Sequence, residues 1–115
     1  MCLRVVIVDD HARFRAQAAE LLTLERFSVV GDAETGARGI ELSRALTPDL
    51  VLLDVGLPDA NGFDLVAVMR ATGAAVVLTS SRSSRDYGTR VTDSGADGFI
   101  SKAELSGEAI RSLLM

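Results

Sequence analysis

Residues 51–58 read VLLDVGLP, in which an apolar run is followed by the carboxylate of Asp54 and then by a segment with Gly and Pro. Apolar runs with β-branched members are typical of strands buried on both faces, and Gly and Pro are typical of the loop that follows. Asp54 is therefore predicted at the C-terminal edge of a buried strand. In open parallel α/β sheets, this edge borders the crevice in which ligands bind.

A second apolar run ends in a pair of carboxylates. Residues 3–8 read LRVVIV, and Asp9 and Asp10 follow them directly. If both strands belong to one parallel sheet, these two side chains and Asp54 reach the same edge. Three carboxylates in one small site repel each other unless a cation is present, and hard oxygen ligands suit Mg²⁺ or Mn²⁺. The sequence thus predicts a cation site.

Strand-like and helix-like segments alternate along the chain. Five β-α units with short connections predict an α/β protein, a single doubly wound parallel sheet in one domain over residues 1–115. The apolar patterns predict strands at residues 3–8, 27–30, 50–53, 75–79 and 98–101, the second one ending at Gly31-Asp32. They also predict five helices. The first begins at Ala12, the second lies between a Thr35 cap and a stop at Thr47-Pro48, and the third runs from the 58–62 loop to Gly73. The fourth, a weak helix, lies between Ser83 and Ser94, and the fifth follows a Ser106 cap.

Composition limits the classes of function. The 115 residues are 48% hydrophobic and 24% charged, which fits one soluble globular domain. The formal net charge of −4 argues against direct contact with nucleic acid. Cys2 is the only cysteine, so an internal disulfide is excluded. No apolar stretch approaches the roughly 18 residues of a membrane span and no signal-peptide pattern is present, so we expect a cytoplasmic protein without membrane contact.

Two further strand ends carry polar residues suited to phosphoryl chemistry. Thr79 stands at the end of the fourth predicted strand, and Lys102 follows the fifth. A carboxylate beside a metal ion can attack phosphorus and form an aspartyl phosphate. The metal ion, an ammonium and a hydroxyl donor then share the charge on the phosphoryl oxygens. Asp54, Thr79 and Lys102 are therefore candidates for one phosphoryl-transfer site.

Five short motifs, in order, resemble those of the receiver domains of two-component response regulators. They are VDD at 8–10, LDVGLPD at 53–59, NG at 61–62, LTS at 78–80 and GFISK at 98–102. The resemblance covers essentially the whole chain and is nearest to the NarL/LuxR-type subgroup, which His11 and the VVGDA run at 29–33 also fit. It implies a flavodoxin-like fold with the five strands in the order 2-1-3-4-5.

The resemblance implies a role for the acidic residues and for one glycine. Asp54 matches the phosphoacceptor. Asp9 and Asp10 match the acidic pair that holds Mg²⁺, and the backbone carbonyl of Gly56 matches the remaining protein ligand. Gly56 also occupies one of the two variable positions that tune hydrolysis of the acyl phosphate.

The resemblance also implies roles along the fourth and fifth strands. Thr79 and Lys102 match the residues that stabilise the phosphoryl group, and Thr79 forms the switch together with the aromatic Phe99. Ser80 fits a position held by a small residue that leaves room for the phosphodonor, and Ser81 is the second position that tunes hydrolysis. One departure is Ala103, which stands where many receivers have Pro after the lysine.

The function expected from these residues is a phosphorylation-activated switch. A histidine kinase or phosphotransfer protein donates a phosphoryl group to Asp54, and the surface of the fourth helix, fifth strand and last helix changes. That surface is expected to control an output, such as transcription through an effector absent from this chain, and to form a homodimer. The domain is expected to assist its own phosphorylation and dephosphorylation rather than to work as a turnover enzyme.

Two other functions stay open at the level of sequence. A haloacid-dehalogenase-type phosphatase also uses Asp, Mg²⁺, Thr or Ser, and Lys, but its Asp-x-Asp signature differs from the adjacent Asp9-Asp10 here. A receiver-like module that binds partners without phosphorylation is the other alternative, and failure to bind Mg²⁺ would favour it. Three nearby residues are given structural roles: His11 as a surface or capping residue of the first turn, and Asp59 and Asn61 as loop formers.

Overall fold

A five-stranded parallel sheet forms the centre of the molecule, with the strands in the order β2-β1-β3-β4-β5. This is the predicted order. The structure is a computed structural model and describes residues 2–114. The strands are β1 (Arg4–Val8), β2 (Ser28–Ala33), β3 (Leu50–Asp54), β4 (Ala75–Ser80) and β5 (Gly98–Ser101).

Helices cover both faces of the sheet. Alternate residues of each strand face opposite sides, so Val6 belongs to the hydrophobic cluster that includes residues of α2, α3 and α4, whereas Ile7 belongs to the cluster that includes residues of α1 and α5. Among residues 2–114, no helix is long and apolar enough to cross a membrane. The helices are α1 (Ala12–Leu24), α2 (Gly36–Leu46), α3 (Gly62–Arg70), α4 (Arg90–Asp93) and α5 (Gly107–Leu114), with 3₁₀ turns at Ser84–Tyr87 and Lys102–Glu104.

The predicted start and stop signals of α2 and the predicted cap of α5 are confirmed. Thr35 Oγ1 accepts the backbone N–H of Arg38 at 3.1 Å, and α2 ends where Thr47 adopts a left-handed conformation with φ 44°. Ser106 Oγ accepts the N–H of Ala109 at 3.0 Å in the first turn of α5. Side-chain hydroxyls thus satisfy backbone donors that the helices themselves leave free.

The second strand is longer than predicted. It continues through Gly31 and Asp32, which were expected to end it, and it begins after Phe27. The register of β1 against β2 shifts between Val5 and Val6, so one extra residue of β2 is accommodated in a bulge. Since β2 lies at the edge of the sheet, this irregularity disturbs no further strand.

The prediction of a single weak helix between Ser83 and Ser94 is wrong. The structure has a 3₁₀ turn followed by the four-residue α4, and Gly88 with φ 57° separates them. Tyr87 and Val91 are half-buried, as their apolar character predicted. Two anchors bury too little apolar surface to hold a continuous helix of three turns.

Candidate functional site

The predicted polar residues meet at the carboxyl edge of the sheet. Asp9 follows β1, Asp54 is the last residue of β3, and Lys102 follows β5. Thr79 lies on β4 directly beside Asp54, because the two residues are partners in the register of β3 and β4. The topology therefore brings together four side chains that the sequence separates by up to 93 positions.

The acidic residues form one cluster. Ligand atoms of Asp9, Asp10, His11 and Asp54 all lie within 4.8 Å of one another. Asp9 is fully buried and Asp54 is 4% exposed, whereas Asp10 reaches the surface. Two buried carboxylates and a third one nearby concentrate negative charge where little water can screen it.

Lys102 supplies the positive charge of the site. Its Nζ lies 2.7 Å from Asp9 Oδ2 and 3.7 Å from Asp54 Oδ1. The ammonium also lies 4.7 Å from the centre of the Phe14 ring, in a cation–π arrangement with α1. These contacts hold the lysine head group at the sheet edge, where 15% of its side chain is exposed.

The carboxyl group of Asp54 holds its proton more tightly than an ordinary aspartate. Burial, followed by the negative charge of Asp9, raises the pKa of Asp54 from 3.8 to about 6. The Lys102 ammonium and the backbone N–H of Gly56 act in the opposite direction, and Asp10 contributes a further, smaller increase. Because one lysine does not offset the carboxylates, the site favours an added cation.

The residues fit a hard divalent cation. Asp9 Oδ2 is buried and makes no hydrogen bond of regular geometry within residues 2–114, although it is ion-paired with Lys102. Asp9, Asp10 and Asp54 offer carboxylate oxygens, the donors that Mg²⁺ and Mn²⁺ take in proteins. Gly56, whose backbone carbonyl was the other predicted ligand, lies exposed in the loop after β3.

His11 is more closely involved with the acidic pair than the sequence indicated. It occupies the N-cap position of α1, yet its ring makes no capping hydrogen bond. Instead, Nδ1 lies 3.0 Å from Asp9 Oδ1 and 3.2 Å from Asp10 Oδ1, and the side chain is 65% exposed. The assignment to the first turn was correct, but the contact with both carboxylates was missed.

Arg15 was not predicted to contribute, yet it fixes the backbone beside the acidic pair. Its Nη1 donates to the backbone carbonyl of Asp9 at 2.7 Å, and its Nε donates to Asp32 Oδ2 at 2.8 Å. The guanidinium therefore ties α1 to β2 and to the end of β1. No local pattern in the sequence distinguishes Arg15 from an ordinary surface arginine.

The loop between β3 and α3 is held by its acidic and amide side chains. Asp59 accepts the backbone N–H groups of Gly36 at 2.8 Å and Ala37 at 3.0 Å, which keeps the pKa of Asp59 below its usual value. Asn61 caps α3 by accepting the N–H of Phe63 at 2.9 Å. Both residues lie in a loop as predicted, but Asp59 also caps α2, a contact across more than twenty positions that local sequence cannot show.

The remaining predicted residues lie along β4 and β5. Thr79 is 1% exposed and Ser80 is 5% exposed, whereas Ser81 is at the surface. Phe99 on β5 is half-buried, with its ring centre 5.9 Å from that of Tyr87. The Ser80 hydroxyl lies 2.6 Å from the hydroxyl of Tyr87, a residue that the sequence indicated only as an apolar anchor.

The family model of the response regulator receiver domain matches residues 5–114. The chain belongs to this family. The similarity to NarL-type regulators that the motifs indicated is also confirmed. NarL of Escherichia coli is 35% identical over 102 residues, which cover 85% of this chain and 47% of NarL. DegU of Brevibacillus brevis is 32% identical over 111 residues, which cover 94% of this chain and 47% of DegU.

A solved structure agrees with the assignment of this receiver domain. The signal receiver domain of NarL from Mycobacterium tuberculosis superposes with a TM-score of 0.85 at 33% identity, covering 98% of this chain and 94% of that one. The chain spans about half the length of the curated relatives named above. Membership of the receiver family argues against the haloacid-dehalogenase alternative, since receiver domains are generally not turnover enzymes.

Proposed function

We propose that this receiver domain, residues 1–115, is a phosphorylation-activated switch of a two-component system. Asp54 accepts a phosphoryl group from a histidine kinase or phosphotransfer protein. The observation that carries the proposal is the position of Asp54, buried beside Asp9 and 3.7 Å from the Lys102 ammonium. This combination pairs a nucleophilic carboxylate with groups that bind the charge of a phosphoryl group.

The transfer is a displacement at phosphorus. An Oδ atom of Asp54 forms the new P–O bond while the P–N bond of the donor's phosphohistidine breaks, and the departing imidazole takes up a proton. Lys102 and the hydroxyl of Thr79 stabilise the charge on the phosphoryl oxygens. A Mg²⁺ or Mn²⁺ ion held by Asp9, Asp10, Asp54 and the Gly56 carbonyl would add positive charge there.

Phosphorylation changes the balance of charges that the site now has. The phosphoryl group carries a charge of roughly −1.5 to −2 in place of the single negative charge of the ionised carboxylate. It therefore draws the Lys102 ammonium and the Thr79 hydroxyl toward Asp54, and Phe99 moves with Thr79. The output is a changed surface on α4, β5 and α5, which serves as a homodimer face and controls an effector.

Three small residues control access and lifetime in this proposal. Ser80 leaves room for the phosphodonor beside Asp54. Gly56 and Ser81, both at the surface, set how readily water reaches the acyl phosphate. The domain thus ends its own signal by hydrolysis and does not release a product from a separate substrate.

Intact mass spectrometry after incubation with acetyl phosphate and Mg²⁺ tests the proposal. One added phosphoryl group is expected, and it should be absent without a divalent cation and in Asp54→Asn. Asp64→Asn, which alters an exposed carboxylate on α3, is the matched control and should still be modified. No adduct, together with an unchanged NMR spectrum in beryllofluoride and Mg²⁺, would favour a module that acts without phosphorylation.

A further inference from the structure

Tyr87 is attached to the strand end that carries Thr79. Its hydroxyl lies 2.6 Å from Ser80 Oγ, and that Oγ also accepts the backbone N–H of Arg82 at 3.0 Å. Ser80 is buried and follows Thr79 directly on β4. The hydroxyl pair therefore fixes the side chain of the residue next to Thr79.

The ring of Tyr87 lies between two other aromatic side chains. It meets Phe63 edge-on, with ring centres 5.2 Å apart and planes at 70°, and it is tilted against Phe99 at 5.9 Å and 55°. Phe63 lies in the first turn of α3, and Phe99 lies on β5. One side chain thus joins the end of β4 to α3 and β5.

The surrounding segment is also held near its two ends, by the Arg82 N–H on Ser80 Oγ and by the Arg90 guanidinium, which lies 4.6 Å from the centre of the Phe63 ring. Each of residues 81–90 is exposed except Tyr87, which is half-buried. The regular structure here is limited to the 3₁₀ turn at Ser84–Tyr87 and the start of the four-residue α4. Since exposed residues with little secondary structure have low local stability, the position of the residues between these two ends depends on Tyr87.

We propose that Tyr87 is a positioning residue that holds this segment, and Ser80 beneath it, in the unphosphorylated arrangement. The inference rests on the proposed function, in which Thr79 and Phe99 move when Asp54 is phosphorylated. Tyr87 contacts Ser80, adjacent to Thr79, and Phe99 itself. Both movements weaken the attachment of Tyr87, and residues 81–90 are then released to form the activated surface.

The consequence is a measurable bias toward the unphosphorylated state. A hydrogen bond made only in that state opposes activation, so its removal makes the activated state easier to reach. Tyr87→Phe deletes the hydroxyl and keeps the ring between Phe63 and Phe99. We expect it to bind beryllofluoride, with Mg²⁺ present, about twofold to tenfold more tightly than the wild type, the range set by one net hydrogen bond.

A double-mutant cycle identifies the contact that is responsible. Ser80→Ala removes the same hydrogen bond from the other side, together with the acceptor of the Arg82 N–H, so adding Tyr87→Phe to Ser80→Ala should tighten beryllofluoride binding no further. Tyr87 also reports directly, because the chain has one tyrosine and no tryptophan. The tyrosine fluorescence of the wild-type domain should therefore change on addition of beryllofluoride and Mg²⁺.

The outcomes separate this inference from the function on which it rests. If the wild type binds beryllofluoride but Tyr87→Phe binds it equally or more weakly, or if the two substitutions act additively, the positioning role of Tyr87 is overturned and the switch stands. If the wild type neither binds beryllofluoride nor accepts phosphate, both proposals are overturned. Circular dichroism of each variant verifies that the fold is retained.

Discussion

The ammonium of Lys102 is paired more closely with Asp9 than with Asp54, at 2.7 Å compared with 3.7 Å. Asp9 is the more deeply buried of the two carboxylates and follows the strand next to that of Asp54. The lysine therefore stabilises the Asp9 carboxylate in this structure and is also within reach of the proposed phosphoacceptor. Substitution of Lys102 should therefore have different effects on cation binding by the carboxylates and on phosphorylation of Asp54.

Lys102→Met should affect cation binding and phosphorylation in opposite directions. Without the ammonium, the carboxylates are less neutralised, so Mg²⁺ affinity should rise severalfold in calorimetric titration. Phosphorylation by acetyl phosphate should slow by about 100-fold, because one donor to the phosphoryl oxygens is lost. Arg82→Met, at the surface, is the control for loss of a positive charge. A fall in both quantities would mean that the substitution disorders the site.

Stability without a divalent cation should fall as the pH rises from about 4 to about 6. The pKa of Asp54 is raised to about 6, so in this window the folded chain binds a proton that the unfolded chain has released. Above it, the ionised carboxylate costs on the order of 1–3 kcal/mol. Asp54→Asn should thus be more stable than the wild type at pH 7 and equally stable near pH 4 in urea denaturation.

Adding Mg²⁺ should narrow the difference between Asp54→Asn and the wild type at pH 7. A cation that binds the folded wild type stabilises it, and the amide is a poorer ligand than the carboxylate. An unchanged difference in saturating Mg²⁺ would contradict the assignment of Asp54 as a ligand.

Asp59→Asn should destabilise the protein at neutral pH, where Asp54→Asn is expected to stabilise it. The N–H groups of Gly36 and Ala37 lower the pKa of Asp59, so its stabilising contribution is present above the ordinary value and is lost as the pH falls through the lowered one. The variant should therefore unfold at lower urea concentration than the wild type at pH 7, and this deficit should shrink in acid. Glu20→Gln, an exposed change on α1, should show neither effect.

Gly62→Ala should disturb Asp54 through the backbone. A Cβ at Gly62 would collide with the backbone carbonyl oxygen of Asp54 and lie 2.9 Å from Val55 Cα. We expect a loss of about 1–3 kcal/mol in unfolding free energy and weaker Mg²⁺ binding, because these atoms cannot move as a flexible side chain could. Gly56→Ala is the matched change in stability measurements, since no atom lies within 4 Å of its added Cβ.

The sheet and the convergence of its polar ends followed from the sequence because they depend on local patterns. Buried apolar runs identify the strands, and parallel pairing places Asp54, Thr79 and Lys102 at one edge. The extent of β2 was not predictable in this way, since a bulge against β1 extends the pairing through Gly31. The position of this bulge depends on β1 as well as on β2.

The contacts that hold the site in place could not be predicted from the sequence, for a related reason. Arg15 reaches Asp9 and Asp32 from α1, and Asp59 reaches the start of α2 across more than twenty positions. Each contact depends on how two elements pack together. From their residue types alone, Arg15 is expected at the surface and Asp59 in a loop, where such residues are usually found.

The attachment of residues 81–90 at Tyr87, with Arg82 and Arg90 held near the two ends of the segment, also bears on how such a domain diversifies. Substitutions at Ser84, Arg85 and Thr89, which are exposed and have neither a positive φ nor a side-chain cap hydrogen bond, should change unfolding free energy by no more than about 0.5 kcal/mol. The sequence of this segment, and with it the recognition of a partner, can therefore change without changes in the acidic cluster or the core. Partner choice and phosphoryl chemistry then become separate targets for selection and for engineering.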